Sequence, residues 1–336
     1  MREALFYTKQ PDGTVVCALC RHRCHIAPGK RGICHVRENR DGTLFSLVYG
    51  RLVAEHVDPV EKKPLFHFLP DSSTYSIATI GCNFRCLHCQ NYSIAQHAPD
   101  DRGNVPGESV PPREIVARAL QAGCQSISYT YTEPTIFLEY ALDVARLAAE
   151  AGLKNIFVTN GYITPEALDA IAPFLHAANI DLKGFSEAFY HRVVGARLSE
   201  VLECIRDYHR RGIWIELTTL VIPGENDDLA ELEGIAAFIA HELGLDVPWH
   251  ISRFFPQYKM TNHGATPPGT LDRAVEAGRR VGLRYVYEGN IAGGREDTVC
   301  HACGRIVLRR SGFQVVEDNL RDGTCGQCGT RIAGVW

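Results

Sequence analysis

The chain has 336 residues, a hydrophobic content of 45% and a net charge of −4. This length suits one large domain with appendages, or two domains, and the mild negative charge gives no support for nucleic-acid binding. No apolar run approaches the ~20 residues of a membrane span, and residues 1–10 lack the apolar core of a signal peptide. We therefore expect a cytoplasmic protein with no membrane association.

Along the chain, a Cys-, Gly-, Arg- and His-rich N-terminal lobe (1–70) precedes a series of alternating strands and helices (71–295). Six or seven strand–helix units in series predict a parallel sheet with helices outside it. We predict an α/β fold with a partial (β/α)6-type, TIM-like barrel, whose chemistry lies at the C-terminal ends of the strands. The predicted strands are 75–80, 126–131, 155–159, 177–182, 213–220, 249–252 and 284–287, and the predicted helices are 113–123, 135–152, 165–171, 199–212, 228–243 and 270–282.

Thirteen cysteines are the main compositional signal. In a cytoplasmic chain, close-set cysteines are more typical of metal sites than of disulfides. Cys124 and Cys204 stand alone and are predicted to be buried apolar side chains. The others form three groups: the N-terminal cysteines (Cys17, Cys20, Cys24, Cys34), the barrel cysteines (Cys82, Cys86, Cys89) and the tail cysteines (Cys300, Cys303, Cys325, Cys328).

The barrel cysteines have the spacing C-x3-C-x2-C and follow the first predicted barrel strand directly. Thiolates are the usual ligands of iron–sulfur clusters, and three of them leave one iron of a [4Fe–4S] cluster without a protein ligand. The alternative is a zinc site that adds His88 to the three cysteines. His88 precedes Cys89 immediately, and adjacent residues rarely reach one ion together, so the iron–sulfur interpretation is favoured.

This motif, in a loop after the first strand of a partial barrel, resembles the signature of radical S-adenosylmethionine (SAM) enzymes. The resemblance implies that SAM chelates the open iron and is split by one electron into methionine and a 5′-deoxyadenosyl radical, which abstracts hydrogen from a substrate. It also implies an external electron donor of the flavodoxin or ferredoxin type. His88 occupies the position before the third cysteine, which is usually aromatic in this family.

Short segments at later strand ends resemble SAM-contacting motifs, in particular those of glycyl-radical-enzyme activases. Glu133-Pro134 matches the end of a Gly-Gly-Glu-Pro segment that meets the SAM amino group, and Asp181-Leu182-Lys183 matches an Asp-x-Lys that holds its polar end. Thr159-Asn160-Gly161 matches an Asp-Thr-Asn-Gly segment, with Val158 in place of the aspartate. These matches imply Glu133, Thr159, Asn160, Asp181 and Lys183 as cofactor-binding residues. The end of strand five, which includes Val221, resembles an Ile-Pro-Gly-x-Asn-Asp segment that passes close to the adenine. His250, at the end of strand six, is a candidate contact to the ribose, with a structural histidine near the barrel mouth as the alternative.

The two outer cysteine groups carry separate predictions. The tail cysteines form two Cys-x-x-Cys-Gly knuckles around a hairpin-like stretch (305–316), which predicts a zinc-ribbon-like tail over 296–336, with a second iron–sulfur cluster as the alternative. The N-terminal cysteines suit a closed four-thiolate site, in which His22, His25 or His35 could replace one ligand. Zinc, an accessory electron-transferring cluster and a reduced group without metal all remain open there.

The N-terminal Cys-x-Leu-Cys-x-His-x-Cys and Gly-Lys-Arg-Gly-x-Cys segments, with residues 56–68, narrow the resemblance. The whole chain is similar to the radical SAM proteins of the AmmeMemoRadiSam system, relatives of pyruvate formate-lyase activating enzyme, which implies Amme-type and Memo-type partners. We expect hydrogen abstraction from a substrate that no motif identifies. The alternatives are a glycyl-radical activase, a methyl or methylthio transferase and, in another class, a non-enzymatic multi-zinc protein.

Overall fold

The computed structural model describes residues 1–100 and 103–336. Its N-terminal lobe is built from short antiparallel strands, which form two three-stranded sheets of order β1-β6-β5 and β2-β3-β4. Short strands with frequent turns are what a Cys- and Gly-rich segment is expected to give. The strands are β1 (Arg2–Glu3), β2 (Tyr7–Lys9), β3 (Val15–Cys17), β4 (His25–Ile26), β5 (Arg37–Arg40), β6 (Thr43–Ser46) and β7 (Arg51–Leu52).

An eight-stranded sheet forms the centre of the molecule, and its strands lie in the order in which they occur along the chain. Seven strands are parallel, and β8 pairs antiparallel with β9 at one edge. β10 lies outside this sheet and pairs with β7. The strands are β8 (Ala54–Pro59), β9 (Ser73–Ala78), β10 (Glu108–Ser109), β11 (Ser126–Tyr129), β12 (Lys154–Thr159), β13 (Ala177–Asp181), β14 (Trp214–Val221), β15 (Trp249–Arg253) and β16 (Val286–Gly289).

Helices connect the parallel strands, and the predicted strand–helix series is confirmed. Thr164 caps α4 by accepting a hydrogen bond from the backbone of Ala167, and Pro165 occupies the first turn, as its sequence predicted. The predicted helix 135–152 begins with a 3-10 turn, Pro134–Phe137. The helices are α1 (Tyr92–Ala95), α2 (Pro112–Gln121), α3 (Leu138–Glu150), α4 (Pro165–Ile171), α5 (Glu187–Phe189), α6 (Leu198–Arg210), α7 (Leu229–Phe238) and α8 (Pro268–Arg280).

The lobe and the barrel share a sheet across the boundary expected at residue 70, because β8 belongs to the predicted lobe. The sequence did not identify β8 as a strand of the central sheet, because Glu55, His56 and Asp58 interrupt the apolar pattern that is typical of buried strands. Beyond β8, residues 64–68 form a floor segment beneath the barrel. Its Phe66 and His67 N–H groups donate to the buried carboxylate of Glu216, at 3.0 and 2.8 Å. The chain thus enters the barrel before its first parallel strand.

The tail contains β17 (Thr298–Val299), the hairpin β18 (Ile306–Ser311) and β19 (Gln314–Asp318), β20 (Leu320–Arg321) and β21 (Thr324–Cys325). The predicted hairpin is confirmed. Arg310 docks it on the floor segment: one guanidinium nitrogen donates to the Phe66 carbonyl at 2.7 Å, and the group lies 4.2 Å from the centre of the Phe66 ring. His67 contacts the Ala333 carbonyl at 2.6 Å. The tail is therefore packed against the barrel rather than tethered to it.

Across the described ranges, 1–100 and 103–336, the helices are all too short or too polar to cross a lipid bilayer.

Candidate active site and metal centres

The barrel cysteines lie in the loop between β9 and α1, at the C-terminal end of the sheet. Gly81 begins this loop with φ of +95°, and a Cβ there would lie 2.7 Å from Val36 and 3.0 Å from the Cys34 carbonyl. Only glycine fits this close approach. The backbone N–H groups of Arg85 and Leu87 each donate at 2.9 Å to the π-helical turn after α5. The loop is thus fixed from both sides.

A cavity of about 600 Å³ opens at this end of the barrel, and all three barrel cysteines line it. Its volume is in the range of small-molecule and cofactor sites. The other walls come from the C-terminal ends of the parallel strands, where barrel chemistry was predicted. Wall residues from those strand ends are Thr130, Thr132, Thr159, Asn160, Asp181, Lys183, Leu220, His250 and Ser252.

The barrel thiols fit an iron–sulfur cluster by their chemistry. Burial raises the pKa of the Cys86 thiol to about 12, with the Lys183 ammonium opposing it, and burial also raises the pKa of Cys82. Buried thiols of this kind become stable thiolates only when a metal replaces the proton. The three barrel thiols would hold three irons of a [4Fe–4S] cluster, and the fourth iron would then have no protein ligand.

The predicted pair Asp181 and Lys183 lines the cavity as an ion pair, with 2.7 Å between the Asp181 carboxylate and the Lys183 ammonium. Burial opposes the charge on Lys183, but Asp181 and the Cys86 thiol outweigh it and raise the pKa of the ammonium. Asn226 fixes this strand end by donating to the Lys183 carbonyl at 2.6 Å. Adjacent positive and negative groups suit a zwitterionic ligand.

Glu133, which the resemblance assigned to the SAM amino group, is fully buried and is not among the residues that line the cavity. It accepts hydrogen bonds from the Thr159 hydroxyl and the Asn160 N–H, each at 2.8 Å, and from Thr135. Burial raises the pKa of Glu133, while these donors oppose that effect. In this structure the carboxylate positions Thr159 and Asn160, both of which do line the cavity.

Asn160 joins this network to the barrel cysteines. Its side-chain amide donates to the Cys82 sulfur at 3.3 Å and to the Asn83 side-chain oxygen at 3.2 Å. Hydrogen bonds to ligand sulfurs are one of the means by which proteins set iron–sulfur potentials. Asn160 thus contacts the sulfur of Cys82, a predicted cluster ligand, whereas its sequence match implied contact with SAM.

The last two predicted cofactor residues differ in position. Val221 is fully buried and does not line the cavity, whose wall at this strand end is formed by Leu220. His250 lines the cavity, and its Nε2 lies 2.6 Å from the Glu216 carboxylate. Glu216 thus forms hydrogen bonds with both His250 and the floor segment. Sequence reasoning missed this role of Glu216. The only signal was an isolated glutamate in an otherwise β-rich strand.

Sequence reasoning also missed a polar cluster formed by Asp58, Lys63 and Tyr131 at the cavity wall. The Asp58 carboxylate accepts a hydrogen bond from the Tyr131 hydroxyl and pairs with Lys63 at 2.6 Å. The Lys63 ammonium lies 4.7 Å from the centre of the Tyr131 ring, and Lys63 and Tyr131 line the cavity. Burial lowers the pKa of Lys63 to about 8, with Asp58 opposing it. The segment 56–68 contributed to the family resemblance, but nothing in its sequence showed which of its residues contact Tyr131.

The tail cysteines converge on one point. Sulfur–sulfur distances are 3.6 Å for Cys300–Cys328 and 3.7 Å for Cys303–Cys325, and all four sulfurs lie within 4.8 Å of one another. A tetrahedral ion with 2.3 Å metal–sulfur bonds separates its ligands by ~3.8 Å. Thr330 lowers the pKa of Cys328 to about 6, which favours the thiolate. The tail therefore has the geometry of a single-ion site.

Among the described residues, the tail cysteines are the only group of three or more Cys, His, Asp or Glu whose ligand atoms come this close together. The ligand atoms of the barrel cysteines and His88 do not form such a close group. This geometry disfavours the Cys3His zinc alternative for the barrel, because ligands of one ion must come within tetrahedral distances of each other.

Substitution of Cys303 by alanine is expected to release the metal from the tail and to expose residues 296–336 to limited proteolysis, because the site supplies folding energy to a short segment. Iron bound to the barrel should be unchanged. Metal analysis and protease mapping of the variant, with Cys124→Ala as a control of similar size, measure both effects. Loss of barrel iron in Cys303→Ala would show that the metal sites have been divided wrongly.

Comparison with known proteins agrees with this geometry. The Radical SAM superfamily profile matches residues 76–238, and an uncharacterized protein of Methanocaldococcus jannaschii is 43% identical over 335 residues, which cover 99% of each chain. The chain belongs to the radical SAM superfamily. This radical SAM protein is also 26% identical, over 227 residues, to a protein of the same organism provisionally named a glycyl-radical enzyme activating enzyme, covering 64% of this chain and 79% of the relative.

Among solved structures, a radical SAM methyltransferase from Sphaerobacter thermophilus superposes with a TM-score of 0.51 at 18% identity, covering 68% of this chain and 70% of that one. At this identity the likeness concerns the fold. Membership of the superfamily implies a [4Fe–4S] cluster and SAM. The sequence relatives place this radical SAM protein near the activating enzymes, as its strand-end motifs predicted.

Asn160→Ala is expected to shift the reduction potential of the barrel cluster to more negative values. The lost N–H donor stabilises the more negatively charged, reduced cluster, so a change on the order of 40 mV is expected, equivalent to about 1 kcal/mol for one electron. Anaerobic redox titration followed by electron paramagnetic resonance measures it. Ser252→Ala, which alters the cavity wall at another strand, is the control, and equal potentials for both variants would contradict the assigned contact.

Proposed function

We propose that this radical SAM protein binds a [4Fe–4S] cluster on Cys82, Cys86 and Cys89 and cleaves SAM reductively to abstract hydrogen from a substrate held in the same cavity. The observation that carries the proposal is the position of three thiols, those of the buried Cys82 and Cys86 and the partly buried Cys89, at a cavity that also presents the Asp181–Lys183 pair. When bound, the cluster supplies the electron that splits SAM into methionine and a 5′-deoxyadenosyl radical.

The protein's own groups bind, orient and shield. Asp181 and Lys183 offer opposite charges to the ammonium and carboxylate of the methionine part of SAM. Thr130 and Thr132, which follow β11 two strands away, add hydroxyl groups to the cavity wall. His88 is 5% exposed, faces the cavity, and its Nδ1 has no hydrogen-bond partner within the described residues. This nitrogen is free to bond a ligand in the cavity.

The form of the cavity favours a small molecule or an extended chain segment as substrate. Gly312 and Phe313, at the turn of the tail hairpin, line it, as do Asn290 and Ile291 after β16. These residues narrow the mouth that a folded partner would have to enter. The Lys63–Tyr131 wall offers a cation and a hydroxyl to the substrate.

A glycyl-radical activase is the second candidate. The Asp-x-Lys motif and the relative provisionally named as an activating enzyme favour it. An activase removes hydrogen from a backbone glycine of a partner, which must reach the cavity as an extended loop past Phe313. A radical methyl or methylthio transferase is a weaker alternative, supported by fold likeness alone.

The outer sites and partners complete the proposal. We propose zinc at the tail cysteines, on the tetrahedral sulfur distances, and a second metal site of zinc or iron–sulfur type at the N-terminal cysteines. The electron donor is a flavodoxin or ferredoxin, and the family resemblance adds Amme-type and Memo-type proteins as partners.

The test is anaerobic reconstitution with iron and sulfide, followed by incubation with SAM and dithionite. We expect 5′-deoxyadenosine and methionine in equal amounts, without S-adenosylhomocysteine. Formation of S-adenosylhomocysteine would favour the transferase, and a glycyl radical in a co-purified partner would favour the activase. A chain that holds its barrel iron and forms no 5′-deoxyadenosine would overturn the proposal.

A further inference from the structure

The N-terminal cysteines surround a second, smaller cavity. All four line it, together with apolar side chains such as Leu19 and Ile26. Backbone contacts fix their positions: the Cys17 N–H donates to the Cys24 carbonyl at 2.9 Å, and Cys20 pairs with Ile163 of the barrel as an isolated β-bridge. The four sulfurs therefore belong to one site.

This site differs in size from the tail site of the same chain. The tail sulfurs have the spacing of a tetrahedron around one ion, whereas no three of the N-terminal ligand atoms lie within 4.8 Å of one another among the described residues. In a [4Fe–4S] cluster each thiolate binds its own iron, so the four sulfurs are held farther apart around a shared centre. The spacing of the sulfurs favours a cluster over a single ion.

Two buried hydrogen-bond donors on the wall lack partners. Arg37 is 1% exposed and pairs through Nη1 with Glu139 at 2.8 Å, but its Nε has no partner in the described part of the chain. The side-chain nitrogen of the fully buried Asn83 has none either. Both residues line the cavity. Buried donors are almost always satisfied, and the sulfurs of an anionic cluster would accept hydrogen bonds from both.

The second site lies directly beside the barrel cysteines. Asn83, on its wall, follows Cys82 in the chain, and its side-chain oxygen accepts from Asn160, which also contacts the Cys82 sulfur. From the other side, the Cys34 carbonyl is packed against Gly81. Cys20 and Cys24 are partly exposed, whereas Cys17 and Cys34 are buried. The site thus extends from the surface to the neighbours of Cys82.

We propose that the N-terminal cysteines bind a second [4Fe–4S] cluster, which relays single electrons from an external low-potential carrier to the cluster on the barrel cysteines. The relay role rests on the proposed function, whereas the cluster site does not. In each transfer the carrier loses one electron and the second cluster passes from 2+ to 1+. It returns to 2+ as the barrel cluster is reduced from 2+ to 1+, and no atom or proton moves.

The first experiment removes the barrel site with the triple substitution Cys82→Ala, Cys86→Ala and Cys89→Ala and reconstitutes the full chain with ferrous iron, sulfide and zinc together. About four irons and four sulfides per chain should remain, with a reduced-cluster signal in electron paramagnetic resonance. Adding Cys20→Ser to this background should remove them, which excludes iron bound to the tail. Zinc in place of this iron, or no metal at the site, would overturn the proposal.

The second experiment keeps the barrel site and substitutes Cys20→Ser and Cys24→Ser. Iron should fall from about eight to about four atoms, dithionite-driven SAM cleavage should persist, and cleavage driven by reduced flavodoxin should fall at least about tenfold. Cys204→Ala, at a buried cysteine outside the three groups, should keep all eight irons. Equal flavodoxin-driven rates would overturn the relay. Eight irons in the parent without SAM cleavage would contradict the proposed function alone.

Discussion

Replacing Cys86 by alanine is expected to remove the barrel cluster and to reduce 5′-deoxyadenosine formation to background. Two thiolates cannot hold the three irons that Cys82, Cys86 and Cys89 bind in our proposal. Residue Cys86 is 7% exposed, and among the described residues the only other thiols that line this cavity are Cys82 and Cys89, so no fourth thiol is present to replace it. Iron and sulfide analysis with a dithionite-driven SAM assay measures both losses.

The control for Cys86→Ala is Cys124→Ala, which removes a buried thiol outside the three groups and should leave iron and turnover unchanged. The tail should stay folded and retain its metal in both variants, because neither Cys86 nor Cys124 belongs to the apolar clusters in which the tail packs. Normal SAM turnover by Cys86→Ala would refute the assignment of the active site.

Substituting Glu216 by alanine is expected to lower the free energy of unfolding by about 3–5 kcal/mol. The buried carboxylate accepts hydrogen bonds from the backbone of Phe66 and His67, from the Trp214 indole at 3.1 Å and from His250 at 2.6 Å. Its removal leaves these buried groups unpaired. Urea denaturation measures the change. Glu233→Ala, which breaks a surface pair with Arg280, should cost no more than about 1 kcal/mol.

The same carboxylate predicts a pH dependence. Burial acts to raise the pKa of Glu216, but His250, His67 and the backbone donors outweigh it and hold the pKa below its ordinary value. The contribution of the ionised Glu216 carboxylate to the free energy of unfolding is therefore fully present above the unfolded pKa of about 4.3. It is lost as pH falls through the lower, folded-state pKa. The stability difference between the parent and Glu216→Gln should narrow in acid. A constant difference from pH 7 to the acid transition would contradict this assignment.

Local patterns predicted the strands and helices and the grouping of the cysteines. The Thr164 cap, the strand–helix series and the three cysteine groups each depend on residues close together in the chain, and the structure brings each group together. Contacts between distant residues escaped prediction. The carboxylate of Glu133 meets Thr159 and Asn160 of the next parallel strand, and Asp58 meets Tyr131 across the sheet. No spacing within one segment encodes such pairs.

The motifs also could not show which way a side chain points. Glu133 and Val221 occupy the positions that the family motifs assign to cofactor contacts, yet the structure places both outside the cavity wall. In each case the neighbouring residue or strand end forms the wall instead. Orientation depends on strand register and on buried partners, which a single sequence does not reveal.

The strictly sequential order of the sheet has a consequence for biosynthesis. Each new strand pairs with the one synthesised just before it, from β8 to β16, so the sheet can grow at one edge while the chain leaves the ribosome. The native contacts of the floor segment form later, because its partners Glu216, Tyr285 and Tyr287 are synthesised 150 to 220 residues after it. We expect closure of the floor to be the slow, late event of folding, since loops of this length close at a high entropic cost.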